Sequence, residues 1–192
     1  MRHRIFIAIN LPQEIKNELR KFQNFFSELP AKWVKPQNLH ITLVFLGYVR
    51  DEDLPKIIEI TKEAASRHNS FSINLIKICY APPKIKPPRM VWVVGEENQE
   101  LGNLQNNLQN SLRRVNVPYL KEEKERAFTP HITLARIRKW EFKQMEPEER
   151  PRINNTINLS FNVNSIEVME SHLKRGGAEY DILESIPLGS KL

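Results

Sequence analysis

Cysteine, glycine and long apolar runs are all scarce in this sequence of 192 residues. The single cysteine, Cys79, excludes an intramolecular disulfide and a zinc site built from cysteines, and free cysteine is typical of a buried core. The six glycines form no Gly-rich phosphate loop, so ATP-dependent chemistry has no support. No apolar run reaches the roughly eighteen residues that a membrane span needs. The apolar segment after Met1 is too short for a signal-peptide core, so we expect a cytoplasmic protein.

What the chain does contain is apolar residues and positive charge. Apolar residues make up 40% of the sequence, which is enough to bury a substantial core in one domain. The net charge of +6 at pH 7 favours a polyanionic partner such as nucleic acid, although mild basicity alone specifies nothing.

The tetrapeptide His-Ile-Thr-Leu occurs twice, at residues 40–43 and at residues 131–134. In a β-strand, residues i and i+2 lie on the same face about 6.6 Å apart, so His40 would project with Thr42, and His131 with Thr133. The intervening Ile and Leu residues would point to the opposite face, where a core can bury them. The repeat therefore predicts two strands with polar faces that meet at a cleft.

The elements around the two copies follow the same order. Each half of the chain reads as strand, helix, loop, His strand, connection and strand, which indicates an internal duplication. We predict a loop at 29–38, a His strand at 39–46 ended by Gly47, irregular structure at 140–155, and final strands at 159–173 and 179–188. Residues 1–192 would form a single domain of two pseudo-symmetric lobes, divided near the proline-rich segment 81–88. A pseudo-twofold axis that relates the two lobes would place His40 opposite His131.

The context of the two motifs resembles a known family. Residues 33–47, with Trp33-Val34-x-Pro36 before the motif and Phe45-Leu46-Gly47 after it, are similar to the first motif of the 2H phosphoesterases. Residues 126–136 are similar to the second motif. Within that superfamily the chain resembles the LigT-like RNA 2′,3′-cyclic phosphodiesterases, formerly called 2′-5′ RNA ligases. The resemblance extends over nearly the whole chain.

This resemblance implies a fold and a reaction. The fold is α+β, close to α/β, and bilobal, with two antiparallel-type sheets facing a central cleft and helices outside. The activity is hydrolysis of RNA 2′,3′-cyclic phosphate ends to 2′-phosphomonoesters, without a metal or other cofactor. By resemblance, His40 is the proton donor and His131 the proton acceptor; two imidazoles of ordinary pKa can divide these roles at neutral pH. Thr42 and Thr133 would donate hydrogen bonds to the phosphate.

Other residues are candidates for substrate binding. The family has a basic residue at the position of Arg136, but strict alternation would put Arg136 on the same face as the buried Leu134, so a surface role is equally open. Phe128, like Trp33, could stack on a base or simply pack, and Arg126 is an uncertain further contact. His3, His68 and His172 lack partner patterns, which favours surface or helix-end roles. Zinc normally takes three or four protein ligands, which this pattern does not supply.

Two alternative functions stay open on the sequence. The same residues could join RNA ends through a 2′-5′ linkage or cleave another ribose phosphodiester. A non-catalytic module that binds RNA ends is the alternative of another class. The expected partners are RNA ends or 2′,3′-cyclic nucleotides, with no membrane and no metal, and the expected state is a monomer.

Overall fold

The computed structural model describes residues 1–114, 128–175 and 177–189. Within these ranges the chain forms nine strands and four α-helices. The strands are β1 (Arg2–Asn10), β2 (Ala31–Trp33), β3 (His40–Arg50), β4 (Phe71–Ala81), β5 (Met90–Gly95), β6 (His131–Ile137), β7 (Asn154–Val163), β8 (Ser165–Lys174) and β9 (Gly177–Pro187). The helices are α1 (Gln13–Phe25), α2 (Leu54–Ala65), α3 (Gln99–Arg114) and α4 (Lys139–Gln144).

The strands form one sheet in which the pairings between named strands are antiparallel. Its order is β7-β4-β5-β6-β3-β1-β8-β9, and β2 pairs with β6 beside this path. The α+β class, with antiparallel pairing, is confirmed. None of the helices in the described ranges is long and apolar enough to span a membrane.

The two strands that carry the repeated motif, β3 and β6, are neighbours at the centre of the sheet. Their ladder has one registered pair, Ile41 opposite Ile132, whereas the neighbouring ladders are longer. This short junction separates a first half (β3, β1, β8, β9) from a second half (β6, β5, β4, β7 and β2). The two halves correspond to the two sheets that the resemblance implies.

The chain order of the two halves reveals an exchange of strands. β4 precedes the proline-rich segment but pairs with β5 beyond it, while β8 returns from the end of the chain to pair with β1. The segment at 82–88 therefore joins two strands of one half and does not separate the halves. We propose that the two halves of the sheet are the lobes of a duplication in which β4 of the first repeat joins the second lobe, and β8 and β9 of the second repeat join the first lobe.

Strand β1 shows how the sheet divides its two faces. Ile5, Ile7 and Ile9 are buried in the main core with apolar residues of the helices, such as Ile15 and Leu19 of α1. Those two helix residues are four apart, so one face of α1 covers the sheet. Phe6 and Ala8 point the other way and pack with Met169 and Tyr180 in a smaller cluster. That second face borders the cleft described below, and we call it the cleft face.

Some predicted boundaries were wrong. Gly47 does not end the first His strand, because β3 continues to Arg50 and the pairing with β1 skips a residue beside Gly47. The positive φ of Gly47, 77°, is favourable for glycine and allows the strand to continue through this irregularity.

The other differences concern short elements. The predicted loop at 29–38 contains β2 and a 3₁₀ turn at Pro36–Asn38. The segment 140–155 contains most of α4, which buries Phe142. The predicted strand at 159–173 is two strands, β7 and β8, separated at Asn164.

Candidate active site

Both His-x-Thr pairs line one cleft between the two halves of the sheet. The cavity has a volume of about 700 Å³, and its lining includes His40, Thr42, His131 and Thr133. The intervening residues Ile41 and Ile132 are buried on the opposite face. The predicted meeting of two polar strand faces is therefore what the structure contains.

The register of β3 and β6 determines how the four side chains are arranged. The strands run antiparallel and meet at the single pair Ile41–Ile132, so the two motifs cross in opposite directions at that pair. The side chains of both motifs therefore line the same cavity on either side of the crossing point. A small anion placed at this crossing point would be surrounded by both histidines and both threonines.

Backbone carbonyls hold both imidazoles in the same tautomer. His40 Nδ1 lies 2.7 Å from the carbonyl oxygen of Asn38, and His131 Nδ1 lies 2.9 Å from that of Thr129. Because a carbonyl oxygen can only accept, each Nδ1 carries a hydrogen and donates it. Nε2 is then the atom of each ring that can accept or release a proton in the cleft. Asn38 is itself anchored, since its amide donates to the carbonyl of Ala178 at 2.7 Å.

The His40 ring is deeply enclosed. Its centroid lies 5.0 Å from that of Phe6 and 5.2 Å from that of Tyr180, and its Nε2 lies 3.0 Å from Thr42 Oγ1. Burial lowers the pKa of His40 below its usual value, and the hydrogen bond to Asn38 opposes this shift in part. The charge of Lys16, and that of His131 when it is protonated, lower the pKa of His40 further.

His131 has different neighbours. Its ring stacks on the indole of Trp92, with centroids 3.8 Å apart and planes inclined by 23°. Burial lowers the pKa of His131 as well, and the hydrogen bond to the Thr129 carbonyl opposes the shift. Within the described residues, the His131 ring makes no hydrogen bond to Thr133. Both imidazoles of the free protein therefore favour the neutral form at pH 7.

The cleft is lined by positive charge. Arg4, Lys32, Lys35 and Arg136 border it, and the described residues that line it include no carboxylate. Arg4 lies over the ring of Phe45, 5.0 Å from the ring centroid, and reaches Ser171 Oγ at 3.4 Å. A cleft with several cations and no facing carboxylate attracts anions such as phosphates.

Arg136 reaches this cleft because β6 contains a bulge. Leu134 and Ala135 are both buried in succession, and the pairing with β5 skips a residue at this point. The extra residue reverses the alternation, so that Arg136 faces the cleft with His131 and Thr133. A strand that alternates strictly has no such reversal, so the sequence pattern alone does not give the direction of Arg136.

The remaining predicted contacts have different outcomes. Phe128 is half-buried and packs against the main core, and its role toward a substrate stays a prediction. Trp33 packs against the same core and also lines the cleft. Arg126 lies outside the described residues.

The other histidines lie outside the cleft. His3 binds the carboxylates of Glu170 and Asp51, which raise its pKa. His172 is 3.0 Å from Asp181, and His68 is 2.8 Å from the Asn107 amide. No group of three or more His, Cys, Asp or Glu residues in the described part of the chain is arranged to hold a metal ion.

Several site residues were missed by the sequence analysis. Arg4 and Lys32 line the cleft, and Asn38 and Tyr180 hold or enclose His40. The sequence does indicate the direction of Arg4. It is two residues from Phe6 on β1, so both side chains lie on the face away from the buried isoleucines. Tyr180 is on β9, which pairs with β8, and β8 pairs with β1, so its contact with His40 depends on long-range strand pairing.

The antiparallel sheet, the paired His-x-Thr strands and the basic cleft together define an enzyme of the phosphoesterase class. The sequence matches the family model described as LigT like phosphoesterase over residues 9–92 and 94–180. The chain belongs to this family.

Named relatives and solved structures agree with this assignment. The chain is 28% identical over 185 residues to the RNA 2′,3′-cyclic phosphodiesterase of Methanocaldococcus jannaschii, covering 94% of this chain and 98% of the relative. It is 30% identical over 186 residues to the protein of the same name from Thermotoga maritima, covering 94% and 92%. A crystal structure of a Thermus thermophilus protein superposes with a TM-score of 0.84 at 27% identity and 100% coverage of both chains. That of E. coli LigT complexed with 3′-AMP gives 0.76 at 27% identity, covering 98% and 99%.

Proposed function

We propose that this protein hydrolyses RNA 2′,3′-cyclic phosphate ends to 2′-phosphomonoesters, with His40 and His131 as acid and base. The observation that carries the proposal is the pair of imidazoles whose Nδ1 atoms are both fixed by backbone carbonyls, so that both Nε2 atoms remain for chemistry in one basic cleft. The names of the relatives support the substrate class. Since both motifs come from one chain, a monomer contains the complete site.

The proposed reaction is an in-line displacement at phosphorus. His131 Nε2 accepts a proton from water as the water oxygen forms a bond to phosphorus. The bond between phosphorus and the ribose 3′ oxygen breaks, and protonated His40 Nε2 donates its proton to that oxygen. The hydroxyls of Thr42 and Thr133 donate to the non-bridging oxygens, where negative charge accumulates in the transition state. The product carries the phosphate on its 2′ oxygen.

The acid role requires that His40 be protonated when the substrate is bound. The free protein disfavours this state, because burial and neighbouring cations lower the pKa of His40. A bound phosphate anion beside the ring acts in the opposite direction and raises the pKa. The substrate itself therefore supplies the charge that makes His40 a proton donor.

A leaving-group experiment tests the order of acid and base. An aryl phosphodiester with a nitrophenolate leaving group needs little protonation as it departs, so His40→Ala should lose much less activity on it than on a cyclic phosphate. His131→Ala should lose similar activity on both substrates, because the water still needs a base. The opposite pattern would mean that the two roles are reversed. Turnover by the unaltered protein must also survive excess chelator, since the proposed proton transfers use side chains alone.

A second assay separates hydrolysis from the alternatives. Labelled RNA that ends in a 2′,3′-cyclic phosphate is incubated with and without an RNA acceptor that has a free 5′ hydroxyl. We expect 2′-phosphate ends in both reactions. Joined product in the presence of the acceptor would favour 2′-5′ transfer, and an unchanged substrate between pH 5 and 8 would favour a binding module.

A further inference from the structure

Lys16, on the second turn of α1, is a buried cation that the proposed reaction does not use. Only 6% of its surface is exposed, although lysine is rarely buried without a partner. Its Nζ donates to the side-chain oxygen of Asn10 at 2.7 Å. The described residues provide no carboxylate within salt-bridge distance of Nζ. A buried ammonium group held by a neutral amide retains a strong influence on its surroundings.

Asn10 places that charge beside the active site. It is the last residue of β1 and lies directly opposite His40 in the ladder with β3. Directly opposed residues of an antiparallel pair project from the same face of the sheet, so the Asn10 side chain is on the cleft face beside His40. Lys16 thus lies behind the imidazole, outside the group of residues that line the cleft.

The negative charge closest in this network to Lys16 lies on the other side of Asn10. Glu167 of β8 is only 5% exposed and accepts the backbone N–H of Asn10 at 2.9 Å. Its other oxygen accepts from Ser165 Oγ at 2.7 Å, so its position is fixed. Asn10 therefore lies between a buried cation whose charge acts on His40 and a buried anion whose charge acts on that cation.

We propose that Lys16 is a positioning residue of this active site, whose buried ammonium group, held behind His40 by Asn10, sets the pH range over which His40 exchanges its proton. The inference rests on the proposed function only for its kinetic consequence. The charge of Lys16 opposes protonation of His40 until a phosphate anion binds, so that the proton donor is formed chiefly with substrate present. Among the described residues, two charged or titratable groups act on His40, namely His131 on β6 and Lys16 on α1, and Tyr180 on β9 contacts its ring. Glu167 on β8 binds the neighbouring Asn10, and Arg4 on β1 lines the same cleft.

The test is a titration of the His40 ring by NMR in the free protein, which does not depend on turnover. Lys16→Met removes the charge and keeps an apolar side chain of similar length. We expect the His40 midpoint to rise by about 0.5–1 pH unit, as removal of one nearby buried charge predicts. The matched control is Lys21→Met on the same helix, where the lysine is exposed and pairs with Glu18. That variant should leave the midpoint unchanged.

A second variant keeps the test decisive if Lys16→Met does not fold. Glu167→Gln removes the offsetting anion, so the His40 midpoint should fall instead of rise. A folded Lys16→Met protein whose His40 midpoint does not move, or a Glu167→Gln protein whose midpoint rises, overturns the inference.

The pH profile of kcat/KM distinguishes this inference from the proposed function. If Lys16 acts through His40, Lys16→Met should displace one limb of the profile by the same amount as the NMR midpoint. A purely structural role would lower kcat/KM equally at every pH, with the limbs in place, and would contradict the inference. An NMR midpoint that moves while both kinetic limbs stay fixed supports the effect of Lys16 but contradicts the catalytic role assigned to His40.

Discussion

The two copies of His-Ile-Thr-Leu form nearly identical strands with different surroundings. In both, the same pattern of buried and partly exposed residues runs from the histidine to the seventh position, with a bulge after the leucine. Around them, His40 is enclosed by Phe6 and Tyr180 and bonded to Thr42, whereas His131 stacks on Trp92. The repeated tetrapeptide sets the direction of the side chains, and residues from distant strands set the chemistry of each imidazole.

The residue that follows each bulge sharpens this contrast. Five positions after the histidine, the first copy has Phe45 and the second has Arg136, and both line the cleft. Phe45 is 48% exposed and carries the guanidinium of Arg4 over its ring, so a cation reaches both sides of the cleft by different routes. Equal backbone geometry therefore presents an aromatic surface in one half and a direct charge in the other.

Replacement of the histidines is the strongest test of whether the copies are functionally equivalent. We expect His40→Ala and His131→Ala each to lower kcat/KM on a nucleoside 2′,3′-cyclic phosphate by about 10²–10⁴-fold, because each removes a proton-transfer group. The double variant should lose less than the product of the single losses, since the groups act as a unit. His172→Ala, outside the cleft, is the control. Unchanged turnover in either site variant would refute the assignment.

The threonines test whether the two hydroxyls are equivalent. Thr42→Val and Thr133→Val should each lower kcat by about 10²-fold, because each loses a donor to the transition-state phosphate. The loss should be greater for Thr42, whose hydroxyl also bonds His40 Nε2. Thr→Ser at the same positions keeps the hydroxyl and should keep most of the activity. Valine variants with full kcat would show that backbone or cationic groups hold the phosphate instead.

Arg136 tests the charged side of the contrast. Arg136→Ala should raise KM for RNA by about 10-fold through the loss of a charged hydrogen bond, with a smaller effect on a mononucleotide. The slope of log affinity against log salt should decrease by about 0.7 for the one lost phosphate contact. Arg138→Ala is the matched control, because Arg138 pairs with Glu141 at 3.2 Å outside the cleft. Equal losses on RNA and mononucleotide would instead place Arg136 at the reacting phosphate.

The dependence of kcat/KM on pH tests a property that the two copies share, the burial of the imidazole ring. Burial lowers both histidine pKa values below 6.5, so each ring stays neutral to a lower pH than a free imidazole. The profile of kcat/KM reports the free enzyme, in which one ring must be neutral and the other protonated, and its bell should therefore be centred below pH 6.5. The cyclic phosphate does not titrate in this range. A bell centred above pH 7 would contradict the observed enclosure of the two rings.

Local pattern was sufficient to predict much of this molecule. The repeat predicted that His40, Thr42, His131 and Thr133 face one cleft, as they do, since alternation along a strand depends only on neighbouring residues. Their catalytic roles stay a prediction. The bulges could not be predicted in this way, because an extra residue becomes visible only through its pairing partner. Strict alternation therefore leaves the direction of Arg136 open and predicts a strand end at Gly47.

Long-range pairing was the other limit. The hydrophobic period and the strand propensity of a segment do not indicate its partners. They do not predict that β4 pairs with β5 across the proline-rich segment, or that β8 pairs with β1. Lys16 illustrates the consequence. In sequence it is one lysine in an amphipathic helix, and only the return of Glu167 beside Asn10 makes it part of a buried charge network.

The return of β8 and β9 to the first half of the sheet also affects the order in which the site can be completed during synthesis. Both His-x-Thr motifs are translated before residue 140, but Tyr180 and Glu167 belong to the last two strands. A nascent chain that stops before β8 carries both histidines without Tyr180, which encloses His40 together with Phe6, and without Glu167, which accepts from the Asn10 backbone. Contacts between such distant segments form late, because the closure of a long loop costs chain entropy. A truncated chain would therefore contain both motifs but lack part of the surroundings of His40.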